Sequence, residues 1–398
     1  MNVRVITDYQ KVNLRDQWNS LVAKCNDNFF LTYEVVSAWW RHFSRNGREL
    51  RILLFEKGDE LVGIAPFFTE TIRMASILPA KCWYWLGVER LSPDHMDLIY
   101  SPEHAEELVD AFIQYLESHI DEWDAIHLQF MREESAFLTA LLKRIHGRKI
   151  FLRKYHTGEV CPFISLPESY ETFYEKLKGS FRYRLRRGYK EWQRRNFTFQ
   201  YNDDSKKLAA SFKNFVRLHQ MRWQMQGKQG NFHLSNLIDF HQEILHSRDI
   251  PWKPVFFEIV NEHDVVASLY TFMSSSKFFY YQMGYDPKYR QNRLLPGKLL
   301  LDQAIRFAIS KRLKEFDFLR GNERYKFEWK PWVSVRREPS YLLFHQSFAS
   351  LLYAAGKVLR YKAARKLKRS NGFSNSPLTQ PPSETIDRGA LAIMSCNE

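Results

Sequence analysis

The chain has 398 residues, of which 44% are hydrophobic and 16% aromatic, so it is long enough for two or three domains with sizeable cores. No segment reaches the roughly 18 uncharged apolar residues of a membrane span, and the N-terminal MNVRVITDYQ lacks the basic-then-apolar order of a signal peptide. We therefore expect a cytoplasmic protein. The four cysteines stand far apart without a CxxC pair, which argues against a zinc site or a disulfide framework.

The formal charge of +14 is concentrated in two short segments. Lys178–Arg195 holds eight basic residues and one acid, and Lys357–Arg369 holds seven basic residues and no acid. Each segment carries +7, so together they account for the whole net charge. This distribution favours two local anion-binding surfaces over a broadly basic nucleic-acid binder.

The first half begins with mixed helices and strands. The predicted elements are a strand at Val3–Thr7, helices at Asp16–Lys24 and Tyr33–Phe43, a hairpin of Leu50–Glu56 and Glu60–Ala65, a helix at Glu103–His119, a strand at Ala125–Phe130 and a helix at Ser135–Ile145. Pro66 is expected at a strand edge or end because it cannot donate to a ladder. Thr71–Pro102 is expected to be a loop with one short strand.

That loop carries the run DHMD, with Asp94, His95 and Asp97. Two carboxylates around a histidine are compatible with a metal site. The alternative, polar residues that cap a loop, is favoured because no second ligand cluster appears nearby, and we predict no metal.

The second half partly repeats the order of the first. Its predicted elements are helices at Tyr170–Leu177, Phe181–Arg195, Leu208–Met225 and Leu237–His246, a hairpin around Asn261–Asp264, a further helix, a short strand, a strand at Tyr341–Phe344 and a helix at Ser347–Lys368. The segments LRILLFEKGDELVGIAPFF and PVFFEIVNEHDVVASLYTFM are both two apolar runs around an acidic turn. This similarity favours a duplicated domain.

The most informative stretch is Val265–Trp329. The apolar runs Val265–Met273 and Phe278–Met283 predict a hairpin, Pro296–Gly297 opens an amphipathic helix, and Phe316–Leu319 predicts a short buried strand. Strand, loop and helix N-terminus together can bring backbone amides to an anion.

The basic segment Lys178–Arg195 has helical periodicity. Phe181, Leu185, Tyr189 and Trp192 share one arc of the helix, and Arg182, Arg186, Lys190 and Arg194 line the neighbouring arc. The cations therefore either bind an anionic ligand or form a solvated face. In the next helix, His219 and Trp223 share a face with Arg222 close by, although a lone histidine is more often a packed polar residue than a base.

Six motifs occur in order in the second half: LHQMRW, GKQGNF, VVASLYTF, YYQMGYDP, LLPGKLLLDQAI and FDFLRGNERYKFEW. In these motifs the chain resembles GNAT-superfamily acyltransferases of the CelD-type, cellulose- and exopolysaccharide-associated group, which are related to Fem-type aminoacyl transferases. The first half agrees more weakly, through WNSL, FFLTYEVVSAWW and LVGIAPFF. In one respect the chain departs from the pattern, because RQNRLLPG has one glycine, Gly297, where the superfamily loop has several.

The resemblance implies an α/β fold with two tandem GNAT-like domains, each a mixed, mostly antiparallel sheet flanked by helices. We predict domains at residues 1–155 and 156–346, a basic C-terminal helix at 347–369 and a disordered tail at 370–398.

The resemblance also implies an acyl donor, acyl-CoA and most simply acetyl-CoA, with no metal. The proposed catalytic residues are Asp317 or Glu323 as base, Tyr325 as acid, and Lys326. The proposed donor-binding residues are Tyr281, Gln282, Met283, Gly284, Arg290, Arg293, Gly297 and Lys298. The proposed acceptor-binding residues are Arg182, Arg186, His219, Arg222 and Trp223.

The predicted function is acyl transfer to an amine or hydroxyl of a cell-envelope or exopolysaccharide precursor, so the expected partners are an acyl donor and a sugar- or amine-bearing acceptor. Two alternatives stay open: aminoacyl transfer from charged tRNA, and a non-catalytic binding module. The basic C-terminal helix, with Val358, Leu359, Tyr361 and Leu367 as apolar positions, either lies on an anionic membrane at its inner face or is solvated.

Overall fold

The computed structural model describes residues 1–9, 13–25, 27–45, 47–74, 78–247, 250–262, 264–289 and 294–370. The chain forms two units, Met1–Val160 together with Arg337–Glu398, and Cys161–Arg336. The sequence-based boundary kept residues 337–346 in the second domain. They belong to the first unit because Tyr341–Phe344 pair with Ala125–Leu128 of that unit. The predicted tail lies outside the described residues from 371 onwards.

The chain up to residue 165 contains seven strands and four α-helices among its described residues. They are β1 (Asn2–Ile6), α1 (Arg15–Cys25), α2 (Tyr33–Phe43), β2 (Arg48–Lys57), β3 (Glu60–Met74), β4 (Leu78–Trp85), β5 (Ile99–Tyr100), α3 (Ala105–Ser118), β6 (Ala125–Leu128), α4 (Ala136–Arg144) and β7 (Ile150–Ser165).

The rest of the described chain continues with α5 (Tyr170–Lys176), α6 (Gly179–Arg194), β8 (Thr198–Asn202), α7 (Ser205–Gln224), α8 (Ser235–His246), β9 (Lys253–Val260), β10 (Val265–Met273), β11 (Lys277–Tyr285), α9 (Pro296–Ser310), β12 (Glu315–Asp317), β13 (Val333–His345) and α10 (Phe348–Ser370). A 3₁₀ turn spans Arg324–Trp329. Within the described residues, no helix is both long enough and apolar enough to span a bilayer.

The two units share a topology, and each is a mixed, mostly antiparallel sheet with helices. In the first unit β1, β2, β3 and β4 follow one another in antiparallel order, and β6 then joins β4 in parallel. In the second unit β8, β9, β10 and β11 do the same, and β12 joins β11 in parallel. The hairpins β2–β3 and β9–β10 are the segments that the sequence indicated as a repeat. The predicted fold class, two tandem α/β domains, is thus confirmed.

Pro66 lies inside β3, not at an edge or end as expected. Its carbonyl accepts a hydrogen bond from Leu86 N at 2.9 Å, so its ring nitrogen points to the same side of the strand. On that side the pairing with β5 ends at Ile64 and the pairing with β4 begins at Phe67. The proline therefore occupies the gap between two ladders, where no donor is required.

Strands β7 and β8 were not predicted. β7 has 16 residues, yet between Phe151 and Val160 none of them is fully buried, so the period-two apolar signal is missing. Thr71–Pro102 contains the end of β3, β4 and β5, where a loop with one short strand was expected.

The DHMD residues are buried in the first unit. Asp97 accepts a hydrogen bond from Leu98 N at 2.9 Å, and burial raises the pKa of its carboxyl to about 7. His95 has a left-handed backbone, with φ of 59°, and its amide donates to Glu338 at 2.9 Å while its ring contacts the same carboxylate. These contacts hold the loop in place.

The second unit has an apolar layer on one face of its sheet. Side chains of β9, β10 and β11 pack there against α9 and α6, including Phe257, Leu269, Phe278, Leu300 and Trp192. Asp302 of α9 is buried and accepts hydrogen bonds from Tyr170 at 2.6 Å and Tyr189 at 2.7 Å. One buried carboxyl thus joins three helices, α5, α6 and α9.

On the other face, α7 lies directly on β11 at Gly284. A Cβ at this position would stand 2.4 Å from the backbone nitrogen of His219 and 2.7 Å from the carbonyl carbon of Leu218. Backbone atoms cannot move aside as a flexible side chain can, so only glycine allows this approach.

We expect Gly284→Ala to lower the free energy of unfolding by about 2 kcal/mol, because the methyl group forces α7 away from β11. Urea unfolding followed by circular dichroism measures this loss. Gly356→Ala in α10 is the matched control, because a Cβ there meets nothing within 4 Å. Equal stability of the two variants would contradict the close approach.

Candidate functional site

The parallel strands β11 and β12 separate after a short common ladder. Lys277, Phe278 and Phe279 pair with Glu315, Phe316 and Asp317, where β12 ends. β11 continues to Tyr285. We call Tyr280–Tyr285 the β11 overhang. A strand edge of this kind can hold an extended ligand through backbone hydrogen bonds.

Asp317 is the residue at which the chain turns away from β11. It is fully buried, and its Oδ1 accepts a hydrogen bond from Leu319 N at 2.7 Å. Its Oδ2 lies 3.4 Å from Nη1 of Arg336. Leu319 has a φ of 55°, a left-handed conformation that the local carboxylate contact stabilises. Both carboxylate oxygens thus shape the turn.

Lys326 closes the same turn from the inside. Its buried ammonium donates to the carbonyl of Leu319 at 3.1 Å and to that of Arg320 at 2.6 Å, and it forms an ion pair with Glu323 at 3.1 Å. Two of the three ammonium donors are thus used by backbone carbonyls, and the carboxylate compensates the positive charge. We call residues 317–326 the Lys326 turn.

Glu323 and Tyr325 stand at the outer part of the Lys326 turn. The Glu323 side chain remains 25% exposed and folds over Gly321, where a Cβ would lie 2.7 Å from its carboxyl carbon. Tyr325 packs edge-on against Tyr280, the first residue of the overhang, with ring centroids 6.2 Å apart. Burial, followed by the neighbouring Tyr280 and Glu323, raises the pKa of Tyr325 well above its usual value, so its hydroxyl remains a hydrogen-bond donor.

Arg222 reaches the overhang from α7. Its Nη1 donates to the carbonyl of Met283 at 3.1 Å, and its guanidinium lies 5.4 Å from the ring centroid of Tyr285. Its charge also acts to lower the pKa of Tyr280 and Tyr325, against the larger effect of burial. The site therefore combines two cations, two tyrosines and a carboxylate next to a strand edge.

His219 is locked in place. Nε1 of Trp223 donates to its Nε2 at 2.9 Å, and its Nδ1 lies 3.2 Å from Oε1 of Gln220. Because an indole only donates, Nε2 must be unprotonated and Nδ1 must carry the proton. Burial lowers the pKa of His219 to about 4. This is the geometry of a packed polar residue, the alternative that the sequence favoured.

The N-terminus of α9 follows the overhang in the chain. Leu295 has a φ of 49°, Pro296 opens the helix, and a Cβ at Gly297 would meet Sδ of Met283 at 2.8 Å. Lys298 forms an ion pair with the carboxylate of Glu328 at 2.6 Å. The same carboxylate lies 3.4 Å from the guanidinium of Arg184 in α6. Arg290 and Arg293, two predicted donor-binding residues, lie outside the described residues.

α6 is docked as the periodicity predicted. Phe181, Leu185 and Trp192 are buried, and Tyr189 is half-buried with its hydroxyl on Asp302. Arg186, Lys190 and Arg194 are exposed, and Arg194 pairs with Glu191 at 2.9 Å. Arg182 is half-buried, with its guanidinium 5.9 Å from the ring centroid of Tyr174.

The structure brings Tyr280, Arg222, Glu323, Tyr325 and Lys326 together. The sequence did not single out Tyr280, although it stands in the quoted run YYQMGYDP. It also missed Arg336 and Glu328, which hold Asp317 and Lys298. No local pattern marks those partners, because 19 residues separate Arg336 from Asp317.

Comparison with known proteins identifies the type of domain. Residues 179–327 match the family model described as an acetyltransferase (GNAT) domain. This match confirms the predicted GNAT-type domain over these residues, and an acetyltransferase domain supports the predicted acyltransferase class. No curated protein matches the sequence significantly.

Solved structures resemble this chain at low identity, and those with a TM-score above 0.5 share its fold. The chain in the crystal structure of FemX is 11% identical in sequence to this chain, with a TM-score of 0.61. The match covers 90% of this chain and 100% of the FemX chain. A conserved protein of unknown function from Bacteroides thetaiotaomicron VPI-5482 is 9% identical with a TM-score of 0.51 and covers 87% and 100%. The C-terminal domain of a putative lysylphosphatidylglycerol synthetase from Agrobacterium fabrum is 12% identical with a TM-score of 0.48 and covers 85% and 96%.

Substitution of Lys326 tests the turn. We expect Lys326→Met to lower the free energy of unfolding by about 3 kcal/mol, because it leaves two carbonyls and the Glu323 carboxylate without their cation. Denaturant unfolding measures the change. Lys288→Met is the control, since that exposed lysine pairs with Asp286 and lies over the ring of Tyr289, and such a surface ion pair contributes about 0 to 1 kcal/mol. A loss in Lys326→Met no larger than in the control would refute this role.

Proposed function

We propose that the second unit is an acyltransferase of the CelD-type group that moves an acyl group from acyl-CoA to an amine or hydroxyl of a cell-envelope or exopolysaccharide precursor. The observation that carries the proposal is the separation of β11 from β12, which leaves the overhang beside the N-terminus of α9. The family match over residues 179–327 supports the transfer chemistry.

The residues around the overhang fit a CoA thioester. The pantetheine arm contains amides, which suit the backbone of Tyr281–Gly284, and its pyrophosphate suits a helix N-terminus such as that of α9. Gly297 allows close approach there, because Met283 is its one near neighbour in the described chain and methionine is flexible. When bound, the thioester supplies an activated acyl carbonyl.

Between the two candidate bases, the contacts favour Glu323. Asp317 is fully buried with both oxygens occupied by Leu319 and Arg336, whereas Glu323 is partly exposed. Glu323 would accept the proton of the acceptor's amine or hydroxyl, directly or through water. Lys326 would position this carboxylate and is a positioning residue in the proposal.

Tyr325 is the proposed hydrogen-bond donor to the leaving thiolate. Its hydroxyl stays protonated because burial, Tyr280 and Glu323 all raise its pKa. Arg222, bound to the carbonyl of Met283, would fix the overhang in the conformation that receives the donor. The backbone amide of Met283, which points away from β10, would orient the acyl carbonyl.

Removal of the proposed base should affect turnover specifically. We expect Glu323→Gln to lower kcat about 100-fold, the usual range for a lost general base, with little change in the KM for the donor. Acyl transfer to a panel of amino sugars and sugar hydroxyls, followed by thiol release from acetyl-CoA, measures this. The control is Glu175→Gln on the exposed side of α5. Full activity of Glu323→Gln would remove the residue from the mechanism.

Gly297 gives a test of donor binding alone. We expect Gly297→Val to weaken acetyl-CoA binding about tenfold, measured by calorimetry, because side-chain atoms would stand at the helix N-terminus where the donor approaches. The fold should tolerate the change, since Met283 can shift. Gly179→Val at the start of α6 is the control, because a Cβ there meets nothing within 4 Å. Unchanged affinity would place the donor elsewhere.

Aminoacyl transfer from charged tRNA is the second candidate, and the exposed cations of α6 favour it. Arg186 and Lys190 face solvent in a helix whose other face is docked. For this candidate, tRNA binding would depend steeply on salt. Arg186→Gln and Lys190→Gln would each remove a cation that neutralises one phosphate, and each would therefore lower the salt slope by about 1. Binding of neither acyl-CoA nor charged tRNA would instead support a non-catalytic module.

A further inference from the structure

α10 is attached to the first unit by polar contacts on its inner face. Ser350 donates to the carbonyl of Asp124 at 2.6 Å and accepts from the amide of His345 at 2.8 Å. The hydroxyl of Tyr353 lies 2.9 Å from Nε2 of His127 and 3.1 Å from the hydroxyl of Tyr84. These hydrogen bonds fix which side of the helix faces the protein.

The outer face of the same helix is apolar. Phe348 is 75% exposed, Leu359 65%, Leu351 46% and Leu352 45%. At about 100° per residue these four side chains fall within an arc of about 100°, so they form one stripe. Ala355 lies in the same arc and is also exposed. An apolar stripe that the fold leaves uncovered indicates a surface for binding.

Basic residues follow the first part of this stripe along the helix. Phe348–Ser370 contains no acidic residue, and Lys357–Arg369 contains seven basic ones. Arg360 and Lys362 are exposed. Lys362 lies within the angular range of the stripe, while Arg360 lies to one side. The helix thus presents an apolar face next to cations, and its own sequence has no acidic residue. Such a helix is complementary to a surface that is apolar beneath a negatively charged layer.

We propose that α10 is a membrane-docking helix that lies in the surface of an anionic lipid bilayer. Phe348, Leu351, Leu352 and Leu359 would enter the boundary between headgroups and acyl chains, and the basic residues would contact lipid phosphates. The proposal is independent of the acyl-transfer reaction. If both hold, the enzyme works next to a lipid surface, where a lipid-linked acceptor would be concentrated.

Two other occupants fit less well. A nucleic acid would be bound by cations alone and would leave the exposed phenylalanine and leucines without a role. A second copy of the chain, paired through the same helix, would bring together two segments of charge +7 with no acid between them. Charge complementarity therefore favours the anionic bilayer.

The test is co-sedimentation of the full chain with vesicles of phosphatidylcholine mixed with phosphatidylglycerol, and with vesicles of phosphatidylcholine alone. We expect binding to the mixed vesicles that weakens as salt is added. The triple variant Phe348→Ser/Leu352→Ser/Leu359→Ser should bind the mixed vesicles at least about tenfold more weakly, since apolar burial and electrostatics both contribute. The charge variant Arg360→Gln/Lys362→Gln should bind the mixed vesicles more weakly than the wild type does. Its binding to vesicles of phosphatidylcholine alone should be unchanged.

The control is Leu142→Ser, which removes a leucine of similar exposure from α4. It should bind vesicles as the wild type does. Circular dichroism spectra and melting temperatures like those of the wild type would show that the triple variant is folded, and the charge variant leaves the apolar stripe intact in any case. Equal sedimentation of wild type and both variants would overturn the proposal. The proposal would also be overturned if the wild type did not bind vesicles and instead formed a salt-insensitive dimer that is lost in the triple variant.

Discussion

The buried ammonium of Lys326 is the interaction on which the second unit's site depends. It draws the carbonyls of Leu319 and Arg320 and the carboxylate of Glu323 to one point. In doing so it holds the chain that follows β12 in a tight turn. Because the chain turns there, it cannot continue the ladder beside β11, and the overhang borders a turn that carries ionisable side chains. The ammonium of Lys326 therefore determines both the path of the backbone and the positions of the ionisable side chains at the site.

The same turn explains why neighbouring acidic residues have different surroundings. Asp317 and Glu323 are six positions apart, and both were candidate bases. Asp317 is at the inner end, where a backbone amide and Arg336 occupy its two oxygens. Glu323 is at the outer end, where its one close cation is Lys326 and part of its surface is open. Position in the turn, not residue type, therefore separates the fully buried carboxylate from the partly exposed one.

Features encoded by local periodicity were predictable from the sequence, and contacts over long separations were not. The repeated hairpins, the docked face of α6 and the helix opened by Pro296 follow from patterns within about 20 residues. The full length of β3, the position of Pro66 and the strand β7 depend on partners elsewhere in the chain. So do the anchoring of Asp317 by Arg336 and the pairing of Tyr325 with Tyr280, which no spacing rule indicates.

The parallel pairs β4–β6 and β11–β12 differ in how far the first strand extends beyond the shared ladder. β4 pairs with β6 over Cys82–Tyr84 and then ends at Trp85, whereas β11 extends to Tyr285 after its ladder ends at Phe279. In a duplicated architecture, a few added residues on one strand are enough to make that strand extend beyond its parallel neighbour in one copy and not in the other. Strand length is thus a backbone feature that distinguishes two copies of one topology.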